Sequence, residues 1–255
     1  MVHPDFRRQG IGTMLLEKCL ELAENSGYCI QYLMTSIENK IAHRLYAKYG
    51  FIPTIIPRKR SSGRDMWLHR FSKNTFVKEF LLKHPFAEKV LSKNRVYFEE
   101  RKLYRVTLRD IISDNYLLLC FEGQPGQTPE GTMPRITGVC IKYSKVHLSI
   151  VVEEEQKYLT KGEACFRLKI INKGLKKINF INIGFMSAPG IKVYLPKIEE
   201  IKEHSKKEIE VKCIFSKEFD VPLLSFNTAV VTICMNLDKV FQNPLLVSAG
   251  FEINR

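Results

Sequence analysis

Arg7-Arg8-Gln9-Gly10-Ile11-Gly12-Thr13 leads without a break into Met14-Leu15-Leu16-Glu17-Lys18-Cys19-Leu20-Glu21-Leu22, a run with the spacing of an amphipathic helix. Gly10 and Gly12 lack a Cβ, so the backbone can come close to an anion here. The amides from Gln9 to Thr13 then point outward at a helix N-terminus, where four donors lack intrahelical partners and the dipole favours negative charge. Arg7 and Arg8 add cationic reach. The stretch Arg7, Arg8, Gln9, Gly10, Ile11, Gly12, Thr13 therefore reads as a diphosphate cradle, although a plain glycine-containing helix entry has the same pattern.

Working outward, residues 9–26 form the helix, with Met14, Leu15, Cys19, Leu22 and Ala23 on the apolar side. Glu17, Lys18, Glu21 and Glu24 face water, and Gly27 ends the helix. Residues 29–36 suit a strand. Residues 39–49 suit a second helix with Ala42, Leu45, Tyr46 and Tyr49 on one face, stopped by Gly50 in the left-handed conformation. Short strands follow at 51–56 and 64–71, the latter holding the only tryptophan, Trp67. Between them lies a basic loop at 57–63 with Arg58, Lys59 and Arg60, loosely similar to a nuclear localisation patch.

Two motifs at this separation carry a resemblance. Arg7, Gly10 and Gly12 match the form Arg/Gln-x-x-Gly-x-Gly/Ala, and Asn39, Ala42, Leu45, Tyr46, Gly50 and Phe51 match Asn-x-x-Ala-x-x-Leu-Tyr-x-x-x-Gly-Phe. Residues 1–71 thereby resemble the GCN5-related N-acetyltransferase family, and Val2-His3-Pro4 looks like the end of that family's fourth strand. The resemblance implies acetyl-CoA as cofactor and an amine, on a small molecule or a protein, as acceptor. It also implies that Asn39 contacts the pantetheine or its ordered water, and that Tyr46 protonates the departing thiolate. Physically, a phenol within hydrogen-bond reach can neutralise a developing thiolate; equally, Tyr46 suits an ordinary buried helix face. His43 is placed on the flank and given no base role.

In this family the first strands and helices build the acceptor wall, and the fourth strand hydrogen-bonds the pantetheine arm. Those elements would lie upstream of Val2. The unit 1–71 is therefore expected to leave a sheet edge and apolar faces open, at about 25 cal/mol per Å² of apolar surface, and to be incomplete as an acetyltransferase. A neighbouring region covering the edge, or a longer form of the protein, would relieve this.

Residues 73–94 read as helical in two pieces broken by Pro85, a connector over 72–94 with Phe76, Val77, Phe80 and Leu81 in one stripe and Val90-Leu91 in the other. From about residue 95 the period becomes two. Val146 to Val152, Ala164 to Ile170 and Ile209 to Phe215 alternate apolar with polar. Further strands are expected at 103–108, 116–122, 136–143, 178–183, 191–195 and 229–235, with turns at 124–126, 172–174, 188–190 and 220–222. The fold class is α+β: a partial acetyltransferase-like α/β unit at 1–71, then an antiparallel β-sandwich over 95–255, immunoglobulin-like in character. That β region carries no catalytic motif and is read as a protein-interaction module.

The chain has 255 residues, 45% hydrophobic, with 40 Lys and Arg against 27 Asp and Glu, a net charge of +13. The first 110 residues hold +10 of it. Such a front half suits an anion such as a CoA phosphate, an acidic protein face or, more weakly, a nucleic acid. Residues 116–120 and 247–251 are apolar runs too short to cross a bilayer, and no membrane partner is expected. Seven cysteines make no Cys-x-x-Cys pair, which argues against zinc or a disulfide framework and for buried thiols in the cytoplasm or nucleus. No metal site is expected.

Overall fold

The computed structural model describes residues 3–55, 65–91, 96–98, 101–122, 135–154, 162–187, 190–216 and 228–252. The basic loop at 57–63, the turns at 124–126 and 220–222, and Val2 lie outside them, as do Ala188 and Pro189.

Helix α1 (Ile11–Asn25), strand β1 (Ile30–Ser36), helix α2 (Lys40–Lys48) and strands β2 (Ile52–Ile55) and β3 (Asp65–Phe71) come first. The three strands make one antiparallel sheet in the order β1-β3-β2. Gly27 and Gly50 take φ of 78° and 83°, which lets the chain turn back sharply after each helix. His3 and Pro4 belong to no strand. Pro4 opens a single 3-10 turn over Pro4–Phe6, for which its fixed φ and missing amide proton are suited.

Helix α3 (Phe76–Lys83) is capped by Thr75 and ends before Pro85. The expected second helical piece is instead strand β4 (Ala87–Leu91), which pairs with β6 (Arg101–Asp110). After the proline, the edge of β6 offered partners to the amides that face it, and that outweighed the helix propensity of Glu88, Lys89 and Leu91. The rest is β: β5 (Val96–Phe98), β7 (Tyr116–Glu122), β8 (Arg135–Tyr143), β9 (Val146–Glu154), β10 (Glu163–Asn172), β11 (Ile178–Ser187), β12 (Ile191–Tyr194), β13 (Glu200–Ile201), β14 (Ser205–Phe215), β15 (Thr228–Leu237) and β16 (Leu245–Glu252). A long antiparallel sheet runs β12-β14-β10-β9-β8-β7-β6-β4, with β5 on β6, and a shorter one runs β13-β11-β15-β16.

The two sheets meet in one core. Leu119, Ile141, Ile150, Phe166 and Val211 of the long sheet lie in the same buried cluster as Val231, Ile233, Val247 and Phe251 of the short one. The cluster continues into α3 through Phe76, Val77 and Phe80, and into the first sheet through Ile52 and Trp67. His69 of β3 stacks at 4.7 Å on Phe121 of β7. The β region thus covers one face of the first sheet. It does not cover its edge: among the described residues β1 pairs with β3 alone.

Helix α1 is rotated from its expected phase. Leu16 and Leu20 go inward, onto Leu33, Phe51, Met66 and Leu68, while Met14, Leu15 and Leu22 stay 66%, 55% and 55% exposed and Cys19 faces water with them. Two carboxylates set the phase. Glu24 receives a guanidinium N–H of Arg70 at 2.6 Å, and Glu17 accepts from the Tyr49 hydroxyl, which turns the Glu17-Leu20-Glu24 side of the helix toward the sheet. The thiols are likewise not uniformly buried: Cys120 and Cys213 are, Cys19 is exposed, and none of the seven is in a disulfide.

Candidate functional site

The segment from His3 to Gly10 is exposed throughout. After the 3-10 turn, Arg8 and Gly10 both enter the left-handed region, with φ of 66° and 80°. The Gln9 side chain folds back to donate to the Asp5 carbonyl at 3.3 Å. Gly10 then caps α1, its carbonyl accepting from Thr13 and Met14 at 2.9 and 3.0 Å. No side chain caps this end, whereas Asn39 caps α2 and Thr75 caps α3. A Cβ built on Gly10 would meet nothing within 4 Å. The glycine is needed for its φ, and the space above it is open. Arg7, Arg8, Gln9, Gly10, Ile11, Gly12 and Thr13 are therefore together at a helix entry where the Ile11 and Gly12 amides precede the first intrahelical bonds.

Tyr46 sits on α2 with its ring edge-on to Phe51, the centroids 5.8 Å apart. It packs on the small cluster of Leu20, Phe51, Met66 and Leu68, which Leu16 of α1 also contacts. The two helices thus share one face of the sheet, and the Glu17–Tyr49 hydrogen bond ties them. That bond raises the Tyr49 pKa above its ordinary value, because Glu17 holds the phenolic proton. Asn39 stands at the start of α2, where its Oδ1 accepts from the Ala42 amide at 3.2 Å, leaving its Nδ2 to donate elsewhere. His43 bonds the Ser36 carbonyl through Nε2 at 2.8 Å, a structural engagement of the flank residue.

Arg70 is the residue the motifs did not flag. Its guanidinium donates to the Tyr49 carbonyl at 3.0 Å, to Gln31 at 2.9 Å and to Glu24 at 2.6 Å, joining β3 to α2, β1 and α1. Nothing local marks it, since its partners lie 21, 39 and 46 residues away. Among the described residues no three His, Cys, Asp or Glu side chains are grouped to hold a metal.

The comparisons bear on this same region. Residues 1–51 match the model of the acetyltransferase (GNAT) family, so the N-terminal segment is a GNAT segment. Over 50 residues the chain is 46% identical to an uncharacterized N-acetyltransferase of Methanocaldococcus jannaschii, an overlap of 20% of this chain and 22% of that protein. The chain therefore spans about a fifth of the length of this relative. Among solved structures, it is similar to a FixG-related protein from Vibrio parahaemolyticus (TM-score 0.34, 13% identity, 44% of this chain and 100% of that one). It is also similar to the GAE domain of yeast GGA1 (TM-score 0.21, 9% identity, 44% and 95%). Neither likeness, at those scores, informs the fold or the activity.

Proposed function

We propose that residues 1–71 are the acetyl-CoA-binding half of an N-acetyltransferase acting on an amine, and that this chain lacks full activity. The observation that carries the reading is the uncapped, glycine-led entry of α1 inside the segment that matches the acetyltransferase family. The main-chain amides at Ile11 and Gly12 bind the diphosphate, and Arg7 and Arg8 lend it their charge. Asn39 uses its Nδ2 on the pantetheine arm or its water. Bound acetyl-CoA supplies the acyl group as a thioester; Tyr46 delivers its hydroxyl proton to the leaving sulfur. The impairment is supported by the outer edge of β1, which pairs with no strand among the described residues, by the exposed apolar side of α1 and by Met34 on β1, 48% exposed.

A second reading, a non-catalytic scaffold, is favoured by how firmly Ile52, Trp67 and His69 are built into the β core. In it, the two facing sheets form an immunoglobulin-like sandwich that binds a protein partner. Calorimetry with acetyl-CoA, alongside an acetyl-transfer assay on the full chain, separates the two. The acetyltransferase reading expects CoA binding that a Gly10→Val change removes, and slow transfer that Tyr46→Phe lowers by about 10²-fold with binding kept. Absence of CoA binding gives the scaffold; fast transfer would refute the impairment.

A further inference from the structure

Four turns at one end of the β region form a continuous rim. The pairing of Ala87 with Asp110 sets Phe86 beside Ile111. The Ser144 amide donates to Asn115 at 3.0 Å, which joins the β6–β7 turn to the β8–β9 turn. The Lys173 amide donates to the His147 carbonyl at 2.7 Å, which brings in the β10–β11 loop. Gly174 lies so close that a Cβ there would sit 2.7 Å from the Lys145 carbonyl. From β4 to β10 the rim crosses five interstrand spacings, roughly 24 Å at ~4.8 Å each.

The rim's polarity is inverted. Turns ordinarily show polar side chains to water. Here the carboxylate of Asp110, itself buried, accepts from the Ile112 amide at 3.1 Å, from the Ser113 hydroxyl and from His84 at 2.7 Å. Asp110 gathers these donors on the inner side of the turn, and Ile111 and Ile112 are left 62% and 76% exposed. Phe86 is 67% exposed beside them, and Leu175 is 74% exposed in Lys173-Gly174-Leu175-Lys176-Lys177. Asn172 fixes that loop through the Lys176 and Lys202 carbonyls, at 2.8 and 2.9 Å, and the Gly174 amide, at 2.9 Å.

Charge surrounds these apolar tips. Lys145, Lys173, Lys176 and Lys202 are exposed along the rim, and Lys177 is paired with Glu200. Of the acids, Asp114 is neutralised by both Arg109 and Lys142, at 2.7 and 2.6 Å, and Glu88 lies across from Arg109, which leaves Glu203 beside the lysines of the β10–β11 loop. Three protruding aliphatic side chains and one phenyl ring within a cationic field suit one occupant. Phe86 is the one ring among them and gives a nucleic acid no succession of stacking platforms, whereas all four apolar tips dissolve in the boundary layer of a bilayer while the lysines meet its anionic headgroups.

We propose that the rim of Phe86, Ile111, Ile112 and Leu175 with its flanking lysines docks the protein on an anionic membrane surface. The proposed contact is with the bilayer surface; no described helix is long and apolar enough to cross a membrane. The expectation of no membrane partner came from the absence of a spanning run, and a surface contact needs none.

The experiment is vesicle flotation of the full chain with phosphatidylcholine alone and with phosphatidylcholine containing phosphatidylserine. Binding to the mixed vesicles is expected to exceed that to the neutral ones by about tenfold or more, and to fall as salt is raised. The double change Ile111→Glu with Ile112→Glu is expected to lower it by about tenfold or more, with the circular dichroism and melting temperature unchanged. Lys173→Glu with Lys176→Glu is expected to remove the preference for anionic vesicles. No vesicle binding, or equal binding by the parent and the Ile111/Ile112 variant, would overturn the proposal. So would rim variants that leave flotation untouched but shift the oligomeric state or RNA retention, assigning the rim to a protein or a nucleic acid.

Discussion

In β10, Ala164, Phe166, Leu168 and Ile170 have no exposed surface, whereas in α1, Met14, Leu15 and Leu22 keep more than half of theirs. Both elements are amphipathic by sequence; they differ in how many sides have something to pack on. The long and short sheets cover each other, and α3 closes one end through Phe76, Val77 and Phe80. The first sheet has the β region on one face and two helices on the other, with an edge strand paired on one side only. Its own cluster of buried side chains is small: Leu20, Phe51, Met66 and Leu68. It follows that the β region stands on apolar burial, and the N-terminal unit on docking to it and on a few long-range polar ties.

The largest effect that sharpens this contrast is Phe166→Ala. Phe166 packs on Phe251, the centroids 6.1 Å apart, and neither ring has exposed surface. Truncation should cost about 3–5 kcal/mol, from lost transfer energy and the cavity left behind. Urea unfolding measures it, and a cost under about 1 kcal/mol would mean that the two sheets do not share a dense core.

The contrast also marks where sequence reasoning works. Alternation over 164–170 and 209–215 finds the strands because one face is in the core and the other is not, the condition that period two reports. The run Leu245 to Phe251 escapes it: both alternating sets of β16 are buried, so no period remains, and the stretch shows only as a short apolar segment. Helix α1 escapes in another way. It has apolar residues on two faces, and which face goes inward is decided by Arg70 and Tyr49, partners 46 and 32 residues away from Glu24 and Glu17. The glycine-led helix entry and the position of Tyr46 are legible because their chemistry is local. The Arg70 junction is not, because three separate elements must fold before it exists.

That junction gives the next prediction. Arg70→Met keeps a long aliphatic stem but removes donors to Tyr49, Gln31 and Glu24. The loss should be about 2 kcal/mol, as expected for charge-assisted bonds at a side chain only 19% exposed. It should appear first in the N-terminal unit, as faster amide hydrogen exchange in α1 and α2 than in β10. Uniform loosening of both regions would erase the distinction between polar ties and apolar burial.

A smaller effect concerns the joint that seats α3. Burial pushes the Glu79 carboxyl up, but bonds from Lys83, the Gln242 and Asn243 amides and the Asn243 side chain outweigh it and hold its pKa below the ordinary 4.5. A depressed folded value means that its contribution is complete above the unfolded pKa and is lost as pH falls through the folded one. Glu79→Gln should therefore cost about 1 kcal/mol at neutral pH and nothing once the parent carboxyl is protonated. Parallel stability–pH curves for the two proteins would show that Glu79 does not carry the acid sensitivity of this joint.

The smallest effect tests the exposed side of α1. Leu15→Ala should change unfolding free energy by no more than about 0.5 kcal/mol, because its side chain already meets water and alanine is the better helix former. Leu20→Ala, five residues along the same helix and 8% exposed, should cost about 2–3 kcal/mol. The pair separates two accounts of the open face. If Leu15 is simply surface, the ratio between the costs is large at every protein concentration. If the stripe of Met14, Leu15 and Leu22 is held by a second copy in solution, Leu15→Ala becomes costly as concentration rises and the parent's melting temperature rises with it, since association stabilises the folded state by mass action. The N-terminal unit would then be closed by assembly, and its difference from the β region would be one of partner, not of packing.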